Sequence, residues 1–173
     1  MTRFPLRNLR LRPGEEHRER IAIELGPLTL GGAVYEPVPS TVDAELVVQR
    51  AQSGDVFGLS FATAVDGPCM RCLDPASVEV AVDAQEYQSS DPGAAEELRS
   101  EYVRDGELEI GAWAHDQIAL ALPEPILCRP GCAGLCPVCG KNLNDEPHEH
   151  EEATTDPRWA ALEALRSDAP DAD

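Results

Sequence analysis

Aromatic residues are scarce in this chain. Phe, Trp and Tyr make up 5 % of its 173 residues, so the core that its 42 % hydrophobic content builds must be largely aliphatic. Positive charge is also in short supply: 14 Lys and Arg stand against 32 Asp and Glu, a formal net charge of −18. A field of that sign repels the phosphate backbone of nucleic acid unless the few bases are gathered in one place. No run approaches the roughly 18–20 apolar residues that a membrane-spanning helix needs. The N-terminal segment lacks the apolar stretch of a secretory signal, so the expected compartment is the cytoplasm. There cysteines stay reduced, and Cys-x-x-Cys pairs read as metal or redox sites, not as disulfides.

The bases that are present are gathered. Arg3, Arg7, Arg10, Arg12, Arg18 and Arg20 lie in the first 20 residues, against Glu15, Glu16 and Glu19. Arg3, Arg7, Arg10 and Arg12 are therefore the candidate contacts for nucleic acid or another partner. The acidic remainder suits a basic protein better than bare RNA.

Fifteen prolines and 13 glycines predict many turns and short elements. Apolar–polar alternation predicts strands at "IAIEL" (21–25), "VDAELVVQR" (42–50), "VFGLSFATAV" (56–65) and "SVEVAVDAQEY" (77–87). "SGD" (53–55) reads as the hairpin turn joining the second and third. Residues 88–107 read as an acidic loop with a helical turn in "AAEELRSEY", and "ELEI" (107–110) as a short strand. "GAWAHDQIALAL" (111–122) places Ala114, Gln117, Ile118, Ala121 and Leu122 at helical spacing, and Pro123 ends it. A last helix is expected over "TDPRWAALEALR" (155–166), with Asp156 as cap and Pro157 in the first turn, followed by a disordered acidic tail. The expected fold is α+β: a curved antiparallel sheet of five to six strands, one packed helix and a metal-stapled C-terminal segment ending in a helix. The expected division is a β-rich domain (1–127), a Cys/His module (128–151) and a terminal helix with its tail (152–173).

Eight candidate metal ligands stand out: Cys69, Cys72, Cys128, Cys132, Cys136, Cys139, His148 and His150. Zinc takes four such groups in a tetrahedron, and eight make two sets. The favoured grouping joins Cys69 and Cys72 with Cys128 and Cys132, leaving Cys136, Cys139, His148 and His150 as a local module. One alternative is a compact site of Cys128, Cys132, Cys136 and Cys139; another is a ribbon joining the two Cys-x-x-Cys pairs. Spacing alone leaves all three open. Thiolate-rich sets of four are closed and structural, whereas catalytic zinc keeps an open position. His115 reads as a helix-surface residue.

"CMRCL" after a strand resembles the Cys-x-Arg-Cys-Leu signature of the YceD-like family, the large ribosomal RNA subunit accumulation proteins. "IALALPEPILCRPGCAGLCPVCGKNLN" is similar to that family's second signature, and "RNLRLRPGE" to its opening. The resemblance implies a non-enzymatic factor that supports large-subunit rRNA accumulation and ribosome biogenesis, binds metal, and contacts rRNA or a basic ribosomal protein. One departure is visible: His148 and His150 stand where many members carry Cys-x-Cys. The competing class is a metal- or thiol-dependent enzyme or redox protein. Cys69–Cys72 between two strands does not fit it, because a redox pair belongs at a helix start, where the dipole lowers the thiol pKa. Neither a His-Glu-x-x-His motif nor a nucleophile elbow is present.

Overall fold

Strict alternation over long stretches makes the centre of the molecule a sheet. The computed structural model describes residues 2–150. The strands are β1 (Phe4–Pro5), β2 (Glu16–Glu24), β3 (Leu28–Leu30), β4 (Ala33–Val38), β5 (Thr41–Arg50), β6 (Gly54–Pro68), β7 (Pro75–Ser89), β8 (Val103–Arg104) and β9 (Glu107–Leu108). One α-helix, α1 (Ile110–Ala121), and two single-turn helices, Leu6–Asn8 and Glu96–Leu98, complete the described elements. The helix expected over 155–166 lies outside the described residues.

Six strands form one sheet in the order β2-β5-β6-β4-β3, with β7 added on β6. The pairings are antiparallel. β6 holds this sheet together because it is long. Along one edge it pairs with β7 throughout; along the other it pairs first with β5 (Asp55–Ser60) and then with β4 (Ala64–Asp66). A three-stranded ribbon, β1-β9-β8, stands apart from this sheet.

The register puts Phe57, Leu59, Phe61 and Val65 of β6 on the same face as Leu46 and Val48 of β5 and Val80, Val82 and Ala84 of β7. All nine are buried. α1 packs on β7 and β2 to cover this face. Its buried residues are Ile110, Gly111, Trp113, Ala114 and Ile118. Fully burying one large aliphatic side chain such as Ile118 contributes about 1.5–3 kcal/mol. Ala121, expected on the buried stripe, is exposed, because the stripe runs through Ile110 and Trp113 and ends a turn earlier. The helix starts one residue sooner than its spacing predicts. There the Gly111 amide donates to the Thr2 carbonyl at 3.0 Å, satisfying a first-turn donor. It stops at Leu122, whose ψ of 137° suits a residue before proline.

The opposite face of the sheet carries Arg20, Glu45, Ser60 and Asp83 in one row and Glu36, Asp66 and Ser77 in another. Tertiary contacts divide the chain into two compact units, the first ending at Ala133 and the second starting at Gly134. Cys128 and Cys132 fall in the first unit, where they close back on the Cys69 turn.

Candidate metal centres

Cys69 and Cys72 sit in the turn between β6 and β7. The Cys69 amide donates to the Asp74 carbonyl at 2.8 Å, and the Leu73 amide to the Cys69 carbonyl at 3.0 Å. This tight turn aims both sulfurs inward. The segment after α1 is drawn onto it: the Met70 amide donates to the Ile126 carbonyl at 2.9 Å, and Ile126 is buried. Arg71 fastens the other end, its guanidinium donating to the Cys132 carbonyl at 3.0 Å. That role for the arginine inside Cys-Met-Arg-Cys could not be read from the sequence, because its acceptor lies 61 positions away.

The result is a cluster of Cys69, Cys72, Cys128 and Cys132, whose sulfurs all lie within 4.8 Å of one another. Cys69 and Cys132 sulfurs stand 3.7 Å apart, and those of Cys72 and Cys128 3.5 Å. These are free thiols, not disulfides. Four sulfurs bound tetrahedrally to zinc at ~2.3 Å would stand roughly 3.8 Å apart. The spacing and donor set fit a zinc-sized ion.

The thiols behave as a crowded set. Burial opposes ionisation of Cys69, but the Cys72, Arg71 and Cys128 amides and the Cys72 thiol outweigh it and bring its pKa down to about 6. Burial pushes Cys72 and Cys128 upward, and the Cys132 thiol adds to this at both, while the Cys72 thiol opposes it at Cys128; the Asp74 carboxylate, 3.3 Å from the Cys72 sulfur, also contributes at Cys72. One thiolate is welcome in the cluster and the next is not. A divalent cation removes that conflict, because it supplies the charge the thiolates lack.

The second unit builds a similar turn locally. The Cys136 amide donates to the Lys141 carbonyl at 2.8 Å, and the Gly140 amide to the Cys136 carbonyl at 2.8 Å. The Cys139 amide, chiefly, brings the Cys136 pKa down to about 6. Cys136, Cys139, His148 and His150 have ligand atoms within 4.8 Å of one another. His148 Nδ1 lies 2.7 Å from the Glu146 carbonyl, which can only accept, so Nδ1 carries the proton. In the neutral ring this leaves the Nε2 lone pair facing Cys139 Sγ at 3.1 Å. The rings of His148 and His150 meet edge to face at 4.9 Å. The structure thus assembles the favoured grouping, and both clusters can hold metal. Three of the four residues in the first cluster are buried, against one in the second.

The two turns differ in backbone tolerance at the position after the second cysteine. Gly140 has φ +74°, which glycine adopts freely; Leu73, in the same place of the first turn, has φ +67°. A non-glycine residue held there costs about 1–2 kcal/mol.

The arginines are dispersed in their roles. Arg3 pairs with Glu109 at 3.1 Å and Glu107 at 3.6 Å. Arg18 pairs with Glu16 at 2.8 Å and Glu45 at 3.1 Å. Arg7, Arg10 and Arg12 are exposed. His115 is half-exposed on α1, its Nδ1 3.1 Å from the Asp116 carboxylate. No helix among the described residues is long and apolar enough to cross a membrane.

The family model for the large ribosomal RNA subunit accumulation protein YceD matches residues 58–166, a span that takes in every candidate ligand. A Mycobacterium tuberculosis protein, named only as uncharacterized, is 34 % identical over 148 residues, covering 83 % of this chain and 67 % of that one. A Mycobacterium bovis protein so named matches to the same extent. One from Mycobacterium leprae is 33 % identical over 108 residues, 59 % of this chain and 49 % of its own length. No solved structure matches the chain. With the family model covering more than half of its length, the chain belongs to the YceD family of large ribosomal RNA subunit accumulation proteins.

Proposed function

We propose that this chain is a non-enzymatic, cytoplasmic assembly factor that supports large-subunit rRNA accumulation by docking on the precursor particle, with one zinc ion in each cluster. The observation that carries the reading is the closed character of the two clusters in a chain of this family. Each gathers four ligand residues with thiolate or imidazole donors, which leaves no open position for a substrate. Zinc bound there would supply charge neutralisation and a rigid crosslink, and the residues around it do the rest. Arg71 holds the Cys132 segment against the turn, and the Glu146 carbonyl fixes the His148 tautomer. The exposed Arg7, Arg10 and Arg12 supply phosphate contacts, or the acidic body receives a basic ribosomal protein.

Metal analysis of protein purified without chelator should give close to two equivalents of zinc per chain. On titration with a chelator, the ion of the more exposed second cluster should leave first. One equivalent would remove the two-site arrangement, and none would remove metal from the reading altogether.

A further inference from the structure

Leu73 is held in a left-handed conformation and is 66 % exposed, so neither the turn nor the core accounts for its side chain. The equivalent place in the second turn is Gly140, which makes the same amide-to-carbonyl hydrogen bond without a side chain. Where strain is kept and the side chain points away from the core, its use lies outside the fold. Leu73 lines a groove of about 530 Å³ with Val34, Pro68, Pro75 and Ala76. Val34 is itself 53 % exposed. Glu36 and Asp66, directly paired across β4 and β6, line the same groove. Ser77 donates to Asp66 at 2.5 Å. The groove is therefore apolar and bordered by two carboxylates, on a chain of net charge −18.

We propose that this groove is the docking site for a lysine- or arginine-rich protein segment that inserts an apolar side chain beside Leu73. It names the partner surface of the assembly factor and rests on that reading. The occupant follows from charge: Glu36 and Asp66 repel phosphate and attract ammonium or guanidinium groups, while the apolar walls have nothing to offer a nucleotide backbone. The wall that carries Leu73 is the metal turn itself, so loading the first cluster fixes the groove.

The test uses the zinc-loaded full chain and fluorescent peptides alternating lysine with leucine, or lysine with serine. Leu73→Gly keeps the turn and removes the wall. Its melting temperature should stay within roughly 4 °C of the parent, while its affinity for the Lys–Leu peptide falls about tenfold. Its affinity for the Lys–Ser peptide should not change. Glu36→Lys with Asp66→Lys should weaken both peptides by about tenfold or more. Unchanged Lys–Leu binding by Leu73→Gly overturns the proposal. So does a photocrosslinker placed at Val34 that joins to rRNA, and not to a basic ribosomal protein, in purified large-subunit precursors. Lost peptide binding with a normal rRNA ratio in a deletion strain would keep the groove and remove the ribosomal reading. A lowered ratio with a Leu73→Gly protein that still binds would do the reverse.

Discussion

Cys69→Ser should destabilise the sheet unit by about 5 kcal/mol or more in urea unfolding followed by circular dichroism. The reason is where the ligands come from. Cys69 and Cys72 lie in the β6–β7 turn, and Cys128 and Cys132 follow α1. The close Cys72–Cys128 pair joins positions 56 residues apart. A crosslink of that span is worth roughly 4 kcal/mol in chain entropy alone. A whole domain has only about 5–15 kcal/mol of net stability, so this one centre, with metal bound, would decide whether the sheet unit stays folded. Losing one sulfur also strands the other three thiols, two of them buried. His150→Ala removes a ligand from a cluster contained in the second unit, so the sheet transition should move by less than about 1 kcal/mol. Wild-type protein stripped of metal should unfold like Cys69→Ser. Equal shifts for Cys69→Ser and His150→Ala would contradict the long-range closure.

Deletion of the protein should lower large-subunit rRNA relative to small-subunit rRNA, with no change in any small-molecule pool. On the proposed function a closed metal module would offer shape and charge but no reactive centre, so the effect should scale with particles bound and not with turnover. The protein should be needed in amounts comparable to assembling subunits. Cys72→Ser or Cys132→Ser should reproduce the loss, because without the crosslink neither the turn nor the groove beside it is held. A normal ratio in the deletion strain, with measurable turnover by the pure protein, would move the assignment to the enzyme class.

Much of the sheet is legible because its strands alternate cleanly. Phe57, Leu59 and Phe61 are recognisable as one face from "VFGLSFATAV", and all are buried. β5, β6 and β7 extend beyond their expected limits, β2 starts earlier and stops before Leu25, and the strand expected over 107–110 is only Glu107–Leu108, because Ile110 opens α1. β6 runs to Pro68, where pairing with β7, invisible to local pattern, carries it on. β3 and β4 escape notice because "GPLTLGGAVYEPV" mixes glycine and proline with short apolar pairs; partner strands, not propensity, make it a hairpin. The helix was visible in outline, but its phase was set by Ile110 and Trp113, which pack beneath the sheet. At the site, spacing picks out eight candidate ligands, which the structure gathers into two clusters. Their grouping depends on Arg71, Met70 and Ile126, whose contacts span more than fifty positions and leave no periodic trace. Leu73 closes the Cys-x-Arg-Cys-Leu signature, but nothing in the sequence shows its left-handed backbone angle.

The most direct measurement is sedimentation of the zinc-loaded protein with large-subunit precursors through a density gradient. It should travel with those particles at about one copy each, and Cys72→Ser should stay at the top. Replacing Arg7, Arg10 and Arg12 by alanine should flatten the salt dependence of any rRNA-borne part of the binding. Wild-type protein that remains at the top of the gradient at low salt, with both metal sites filled, would contradict docking as the basis of its function.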